Sequence, residues 1–199
     1  LRPWVGHPAS AAGALRTLAQ HRRWQGRDPR PDLARALAAY GQALALNPNS
    51  FLTHGWLADT LLQRAEWFPE QAREDLEAAE RHARLAQSLN PRDPLARQCL
   101  ALHALLAGRL GEVEAYLHHA PKDADAAILG ARLALLRKRG EGAALNEIRR
   151  LRGLQGWDAT LALWEGRLLR ALVQPRAADL AFSEACRLNP LLASEVTRP

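Results

Sequence analysis

The sequence predicts an all-α protein made of stacked helical repeats. Small residues followed by a proline recur along the chain, and the three sets are Ala36, Ala43 and Pro48, then Ala79, Ala86 and Pro91, then Ala178, Ala185 and Pro190. Ten residues between Gln20 and Pro48 return 43 positions later, between Gln63 and Pro91. A fixed interval of this length indicates stacked units. The prevalence of alanine and leucine, with few β-branched residues, favours helix in every unit.

The first unit is expected to be a helical hairpin. Helical spacing of apolar residues starts at Pro8 and runs to His21. The stretch 26–31 holds two prolines and breaks this helix. Pro31 and Asp32 suit the first turn of a second helix, which we expect to continue to about Leu46.

The same plan is expected in the units that follow. Residues 47–50 end the first hairpin and supply a cap for a helix from Phe51, and residues 67–70 connect the two helices of the second hairpin. The remaining helices are predicted at 94–107, 112–119, 124–139, 143–151, 157–173 and 176–188. No segment has the pattern of a strand.

These marks resemble the tetratricopeptide repeat family, whose usual unit is a helical hairpin. The fifth unit is most similar, with Gly166, Ala178, Phe182, Ala185 and Pro190 at the family's spacing. The resemblance implies a right-handed α-solenoid of about five hairpins, the first two elongated. The implied solenoid covers residues 8–192, with units at 8–50, 51–93, 94–123, 124–156 and 157–192, a lead-in at 1–7 and a tail at 193–199.

The first two units exceed the family's usual length by nine residues, and we expect the surplus at 24–30 and 67–73, between the paired helices. Long units of this kind resemble the repeats that follow the kinase domain in some bacterial serine/threonine kinases. Kinase signatures are missing from the sequence itself. Since the sequence contains no methionine, we interpret it as an excised piece of a larger bacterial protein, in which it is a non-enzymatic regulatory or docking segment.

The resemblance also implies where a partner would bind. The first helix of each hairpin lines the concave surface of such a solenoid. The family's register places seven residues there: Asp59, Gln63, Gln98, Leu102, Arg132, Arg167 and Arg170. Because guanidinium groups bind carboxylates at two points, an acidic or extended peptide is the expected partner. The alternative is that these arginines solubilise the surface or pair with neighbours such as Asp158 and Glu165.

Charge keeps two other functions open. The net charge of +6 comes almost wholly from arginine, so nucleic-acid binding is a second hypothesis, although arginines on the solvated faces of many helices would give the same balance. Homodimerisation of the parent protein is a third. No window of 18 uninterrupted apolar residues predicts a membrane span, and we expect a cytoplasmic location.

Chemistry at a metal, cofactor or nucleophile is not expected. His118 and His119 are adjacent, so their side chains diverge on a helix, and no recognised ligand spacing accompanies them. Cys99 and Cys186 lie in apolar helical patterns and are expected to be reduced packing residues. Five of the six tryptophans are assigned to structure. We expect Trp24 and Trp67 to fix the connecting loops, with an exposed binding anchor as the alternative, and Trp56, Trp157 and Trp164 to pack between helices.

Overall fold

The computed structural model describes residues 8–196, and within this range it is helical with no strand. The lead-in at 1–7 and residues 197–199 lie outside the described part. The α-helices are α1 (Pro8–Trp24), α2 (Arg30–Leu46), α3 (Phe51–Trp67), α4 (Ala72–Leu89), α5 (Pro94–Leu106), α6 (Leu110–His119), α7 (Ala124–Arg137), α8 (Glu141–Leu154), α9 (Ala159–Ala171), α10 (Pro175–Leu188) and α11 (Ala193–Val196). Short 3-10 turns stand at Pro69–Gln71 and Pro190–Leu192.

The chain divides into two compact units, Leu1–Tyr116 and Leu117–Pro199. In unit 1, the hairpin partners α1 and α2 pack together, as do α3 and α4, and the first helices α1, α3 and α5 contact in succession. In unit 2, α7 packs on α8, α9 packs on α10, and the first helices α7 and α9 contact each other. Each unit therefore repeats one arrangement, a hairpin laid beside the next.

The starts of four first helices share one capping interaction. The side-chain oxygens of Ser50, Asp93, Asp123 and Asp158 each accept the backbone N–H three residues ahead, at the beginnings of α3, α5, α7 and α9. Such caps satisfy an N–H group that has no partner within the helix. These caps lie 43, 30 and 35 residues apart along the chain and define the register of the repeats.

Four of the hairpin turns share a second device. Gly26, Gly108, Lys138 and Val173 follow α1, α5, α7 and α9 with φ of 71°, 74°, 51° and 57°. The next residue then donates its N–H to the carbonyl five positions back, over N···O distances between 2.8 and 3.1 Å. This is the usual left-handed end of a helix, which glycine adopts without steric cost. A β-branched valine in this conformation is strained.

Small residues allow the helices of unit 1 to approach closely. Ala79, Ala83 and Ala86 on α4 are at most 1% exposed, and Ala58 and Leu62 of α3 are fully buried. Ala79 and Ala83 belong to one core cluster with Tyr40 and Cys99. A second cluster joins Ala19, Leu33 and Phe68, and Trp67 packs against it.

Buried ion pairs join the two helices of each long hairpin. Asp32 and Asp75, equivalent residues in the first turns of α2 and α4, are 1% and 2% exposed. The Arg64 guanidinium donates from Nε to Asp75 at 2.7 Å, and Arg22 Nε lies 2.9 Å from Asp32. The hydrogen bond that Arg64 donates to Asp75 raises the pKa of Arg64, and this effect outweighs the opposing effect of burial. Each aspartate thus fixes the end of one helix to the start of the next.

Unit 2 contains a close helix crossing at Gly166. An ideal Cβ built on Gly166 of α9 would lie less than 3 Å from three carbons of the Phe182 ring on α10. Ala178, Ala181 and Ala185 of α10 are buried beside it. Only glycine permits this approach, which explains why the fifth unit has Gly166 and Phe182 at the family's spacing.

The surplus length of the first two units lies mainly in the helices. The helices α1, α2 and α3 have 17 residues and α4 has 18, whereas the helices α7 to α10 of unit 2 have 13 or 14. Our expectation of long connections at 24–30 and 67–73 is therefore wrong: Trp24 and Trp67 end their helices. The residues expected to form a tail begin with α11. Of the described helices, not one has the length and apolar character needed to cross a bilayer.

Candidate functional site

The spacing of the caps identifies one position that every first helix shares. On α3, α5, α7 and α9 it lies nine residues after the capping residue. On α1 the equivalent residue is found 43 positions before Asp59. The residues at this position are Arg16, Asp59, Leu102, Arg132 and Arg167. Four of the seven residues expected on the binding surface therefore occupy a single equivalent position.

In unit 1 two of the expected residues are already paired with the preceding repeat. Arg16 forms an ion pair with Asp59, and its guanidinium carbon lies 4.8 Å from the centre of the Trp56 ring. Gln63 donates its amide Nε2–H to Oε1 of Gln20 at 2.9 Å. This row of polar side chains thus joins α1 to α3.

The other two expected residues of unit 1 have a different environment. Gln98 is half-buried on α5. Leu102 is also half-buried and packs against the core cluster of unit 1. The next first helix therefore continues the row as a partly apolar surface.

Arg132 and Arg167 occupy equivalent half-buried places on the neighbouring helices α7 and α9 of unit 2. The Arg167 guanidinium lies 4.6 Å from the centre of the Trp164 ring. Its Nη2 donates to the main-chain carbonyl of Glu195 at 3.2 Å and lies 3.6 Å from the Glu195 carboxylate. Arg167 is therefore held between an aromatic ring of its own helix and the short helix α11.

Arg170 makes a parallel set of contacts one turn along α9. Its guanidinium lies 4.5 Å from the centre of the Phe182 ring, and Nη1 donates to the carbonyl of Val196 at 3.5 Å. The Arg170 side chain is exposed. Together Arg167 and Arg170 contact two successive main-chain carbonyls at the end of α11.

The alternative that these arginines pair with Asp158 and Glu165 is wrong, because both acidic residues have other partners. Asp158 instead caps α9, accepting from the N–H groups of Thr160 and Leu161 at 2.8 and 3.1 Å. Glu165 accepts from Arg149 Nε at 2.8 Å and from Arg152. Burial of Glu165 raises its pKa, but the hydrogen bonds from these two guanidiniums outweigh burial and lower it. Glu165 therefore stays ionised and ties α8 to α9.

The histidines form a structural pair that the sequence did not indicate. His54 and His82 lie with their Nδ1 atoms 2.9 Å apart, and His54 Nε2 is 2.9 Å from the Pro48 carbonyl. When His54 is neutral and donates to Pro48, its Nδ1 must accept from His82. Among residues 8–196 there is no group of three histidine, cysteine or acidic side chains arranged to hold a metal.

Two large apolar side chains beside α9 are exposed. Trp157 is 77% exposed in the connection before α9, and Leu154 at the end of α8 is 71% exposed. The expectation that Trp157 packs between helices is therefore wrong. Its position directly after Gly156, in the connection 155–158 between α8 and α9, was the signal available in the sequence, since a side chain in such a loop has fewer neighbours to cover it.

Solved structures resemble this chain over most of its length. A tetratricopeptide repeat protein from Parabacteroides merdae matches with a TM-score of 0.71 and 18% identity, over 93% of this chain and 69% of that one. The pilF protein of Pseudomonas aeruginosa matches with a TM-score of 0.58 and 17% identity, over 96% and 86%. YrrB, described as a TPR protein with an unusual peptide-binding site, matches with a TM-score of 0.50 and 16% identity, over 94% and 90%. Neither a protein-family model nor a curated protein matches the sequence.

Proposed function

We propose, from the tetratricopeptide repeat fold of this chain, that it is a non-enzymatic protein-interaction module. The first helices of its hairpins bind a peptide or a segment of a partner protein on their concave side. On α7 and α9, where Arg132, Arg167 and Arg170 stand, the bound segment is acidic. Guanidinium groups favour carboxylates and main-chain carbonyls, which an acidic peptide offers together.

The single observation that carries this proposal is the contact between α9 and α11. Arg167 and Arg170 already hold a piece of polypeptide through its backbone carbonyls and one carboxylate. Both guanidiniums are placed over aromatic rings, Trp164 and Phe182, which fixes their planes. A fixed cation loses little side-chain entropy when it binds, so this surface is prepared for a peptide.

The corresponding row of unit 1 is proposed to make weaker polar contacts. Arg16 and Gln20 already pair with Asp59 and Gln63, so a partner there gains little by displacing them. Leu102 and the half-exposed Leu52 offer apolar contact. The peptide-binding site reported in the name of YrrB, whose fold is similar, supports a peptide as the class of partner.

Selection from a random peptide library tests the proposal. The wild-type chain is expected to enrich peptides of about 12 residues that are rich in Asp and Glu, and Arg132→Gln is expected to weaken their binding about tenfold. The matched control is Arg176→Gln, which removes an exposed arginine at the start of α10. Enrichment of neutral peptides, or equal loss in both variants, would contradict an acidic partner.

Two simple measurements test the other two hypotheses, nucleic-acid binding and homodimerisation. Binding to a single-stranded DNA of about 20 nucleotides, falling steeply with salt, would favour nucleic acid through the exposed run Arg137–Arg139. Sedimentation at two concentrations tests self-association, since a monomer at both would rule out dimerisation. If the chain is a monomer, does not bind DNA and enriches acidic peptides, the results support the proposed protein-interaction module.

The wider role is also a proposal. The length of the first two units, which resembles repeats of bacterial serine/threonine kinases, supports a regulatory segment of a larger bacterial protein, and we place it in the cytoplasm. Sequencing the reading frame on both sides tests this role. A kinase domain upstream would support it, and an unrelated enzyme or a complete short frame would contradict it.

A further inference from the structure

We infer that α11 is an internal occupant of the peptide site on α9, and that an acidic peptide binds by replacing it. The inference rests on the proposed function and specifies its chemistry. The site is the surface formed by Arg167 and Arg170 with the rings of Trp164 and Phe182, and it is called the α9 arginine site below.

The contacts of α11 are those of a bound peptide end. Glu195 supplies a carbonyl at 3.2 Å and a carboxylate at 3.6 Å to Arg167, and Val196 supplies a carbonyl at 3.5 Å to Arg170. Both residues stand at the carboxyl end of α11, where the last carbonyl groups have no partner within the helix. That end also carries the negative pole of the helix, which attracts cations.

The repeat register shows that Arg170 stands at an unusual place for a cation. The equivalent residues, twelve positions after the caps Ser50 and Asp93, are Leu62 and Leu105. These leucines are 0% and 5% exposed within unit 1. An element that merely covered an apolar face would meet a leucine here as well. On α9, α11 instead contacts the charged side chain of Arg170. Such an exposed polar contact adds little stability, so it is released readily in water.

The segment is held lightly enough to be replaced. A helix of four residues has no stability of its own, since its hydrogen bonds barely offset the cost of nucleation. Leu192, which is 2% exposed, anchors the preceding turn, so the segment stays close to the site when its end is released. Arg167 and Arg170 keep their ring contacts within the hairpin α9–α10, so the site persists without α11.

The partner that fits is an acidic segment with one Glu or Asp carboxylate beside two accessible main-chain carbonyls. A helix ending in glutamate has this chemistry, and so does an extended acidic peptide. Such a partner must be favoured over an occupant that is tethered to the site, because the tether gives α11 a high effective concentration. Because a ligand must compete with α11, only acidic ligands of high affinity are expected to bind.

Binding of a peptide in trans tests the inference on the full chain. The probe is a fluorescent, carboxyl-amidated peptide with the sequence of residues 190–196, in which Glu195 is the one charged side chain. Glu195→Lys removes the internal carboxylate and repels Arg167, so the peptide is expected to bind this variant at least about tenfold more tightly than it binds the wild type. Adding Arg167→Gln to Glu195→Lys is expected to abolish that gain. The matched control is Asp179→Lys, the same charge change at an exposed residue of α10, which is expected to leave the affinity unchanged.

Equal affinity for wild type and Glu195→Lys, or a gain that survives Arg167→Gln, would overturn the inference. Circular dichroism checks that each variant is folded, and Glu195→Gln, which keeps the size of the side chain, is expected to give a smaller gain of the same sign. The library selection with Arg132→Gln is a separate measurement. The proposed function stands if selection succeeds while the in-trans peptide fails, and both the function and the inference fall if selection enriches no acidic peptide.

Discussion

Gln20 and Gln63 are equivalent residues of successive repeats, and their side-chain amides are hydrogen-bonded at 2.9 Å. Arg16 and Asp59 have the same relationship, and both pairs are separated by 43 residues. Contact between equivalent residues means that α3 lies beside α1 with almost no shift along the helix axis. The interval seen in the sequence is therefore also the step from one helix to the next in unit 1.

The close crossing of α3 and α4 should not tolerate a long side chain. Ala79→Arg is expected to destabilise unit 1 by about 3 kcal/mol or more, since a charged chain would have to enter a fully packed interface. Chemical denaturation followed by circular dichroism measures the loss. Ser88→Arg places the same side chain on the exposed face of α4 and is expected to change little. Unchanged unfolding of Ala79→Arg would show that the packing face is assigned wrongly.

Gly166→Ala should destabilise the last hairpin. The added methyl group would overlap the Phe182 ring and force α9 and α10 apart, at an expected cost of about 1–3 kcal/mol. Gly153→Ala is the matched control, because nothing lies within 4 Å of its Cβ position in α8. There the change is expected to stabilise the helix by about 0.5–1 kcal/mol, since alanine favours helix. Urea unfolding of both variants should give opposite signs, and equal signs would refute the tight crossing.

Val173→Gly should stabilise unit 2 despite removing a side chain. Val173 is 84% exposed and has a φ of 57°, so it contributes strain and little packing. Relief of the left-handed strain is about 1–2 kcal/mol, and the greater freedom of glycine in the unfolded chain takes back about half. The reverse change at the equivalent turn, Gly108→Val, is expected to lower the melting temperature. A fall in melting temperature for Val173→Gly would mean that the valine makes a favourable contact.

Acid should weaken the second hairpin through His82. Burial, the neighbouring His54 and the charge of Arg81 lower the pKa of His82 below its ordinary value. The unfolded chain therefore binds the proton more readily, so this contribution to stability is complete above about pH 6.5 and is lost as the pH falls below it. The melting temperature should drop between about pH 7.5 and pH 5.5.

The variant His82→Gln separates this contribution from others. Its amide N–H can still donate to His54 Nδ1 but has no proton to gain, so the drop is expected to be smaller than in the wild type. Part of the drop should remain, because burial also lowers the pKa of His103, whose Nδ1 accepts from Arg109 at 2.7 Å. An equal drop in wild type and variant would assign the acid sensitivity elsewhere.

The candidate site was predicted only in part. The register of the repeats places Asp59, Leu102, Arg132 and Arg167 at one equivalent position, and sequence spacing suffices for such an assignment because hairpins of this kind repeat their geometry. What each side chain contacts was not predictable. Arg167 contacts Glu195, 28 residues away, and not Asp158 or Glu165. The reason is that the turn after α10 places α11 against α9. Nothing in the spacing of charges indicates the direction of that turn.

The sequence by itself determined that the chain is helical, where most hairpins begin, and which small residues recur, because capping groups, prolines and helical periodicity act over a few neighbouring residues. Only the tertiary structure decided that the surplus length extends α1 to α4, that His54 meets His82, and that α11 rests on the α9 arginine site. Those outcomes depend on residues far apart in the chain that compete for the same space. The free energies of such long-range contacts are decided only when the helices pack together.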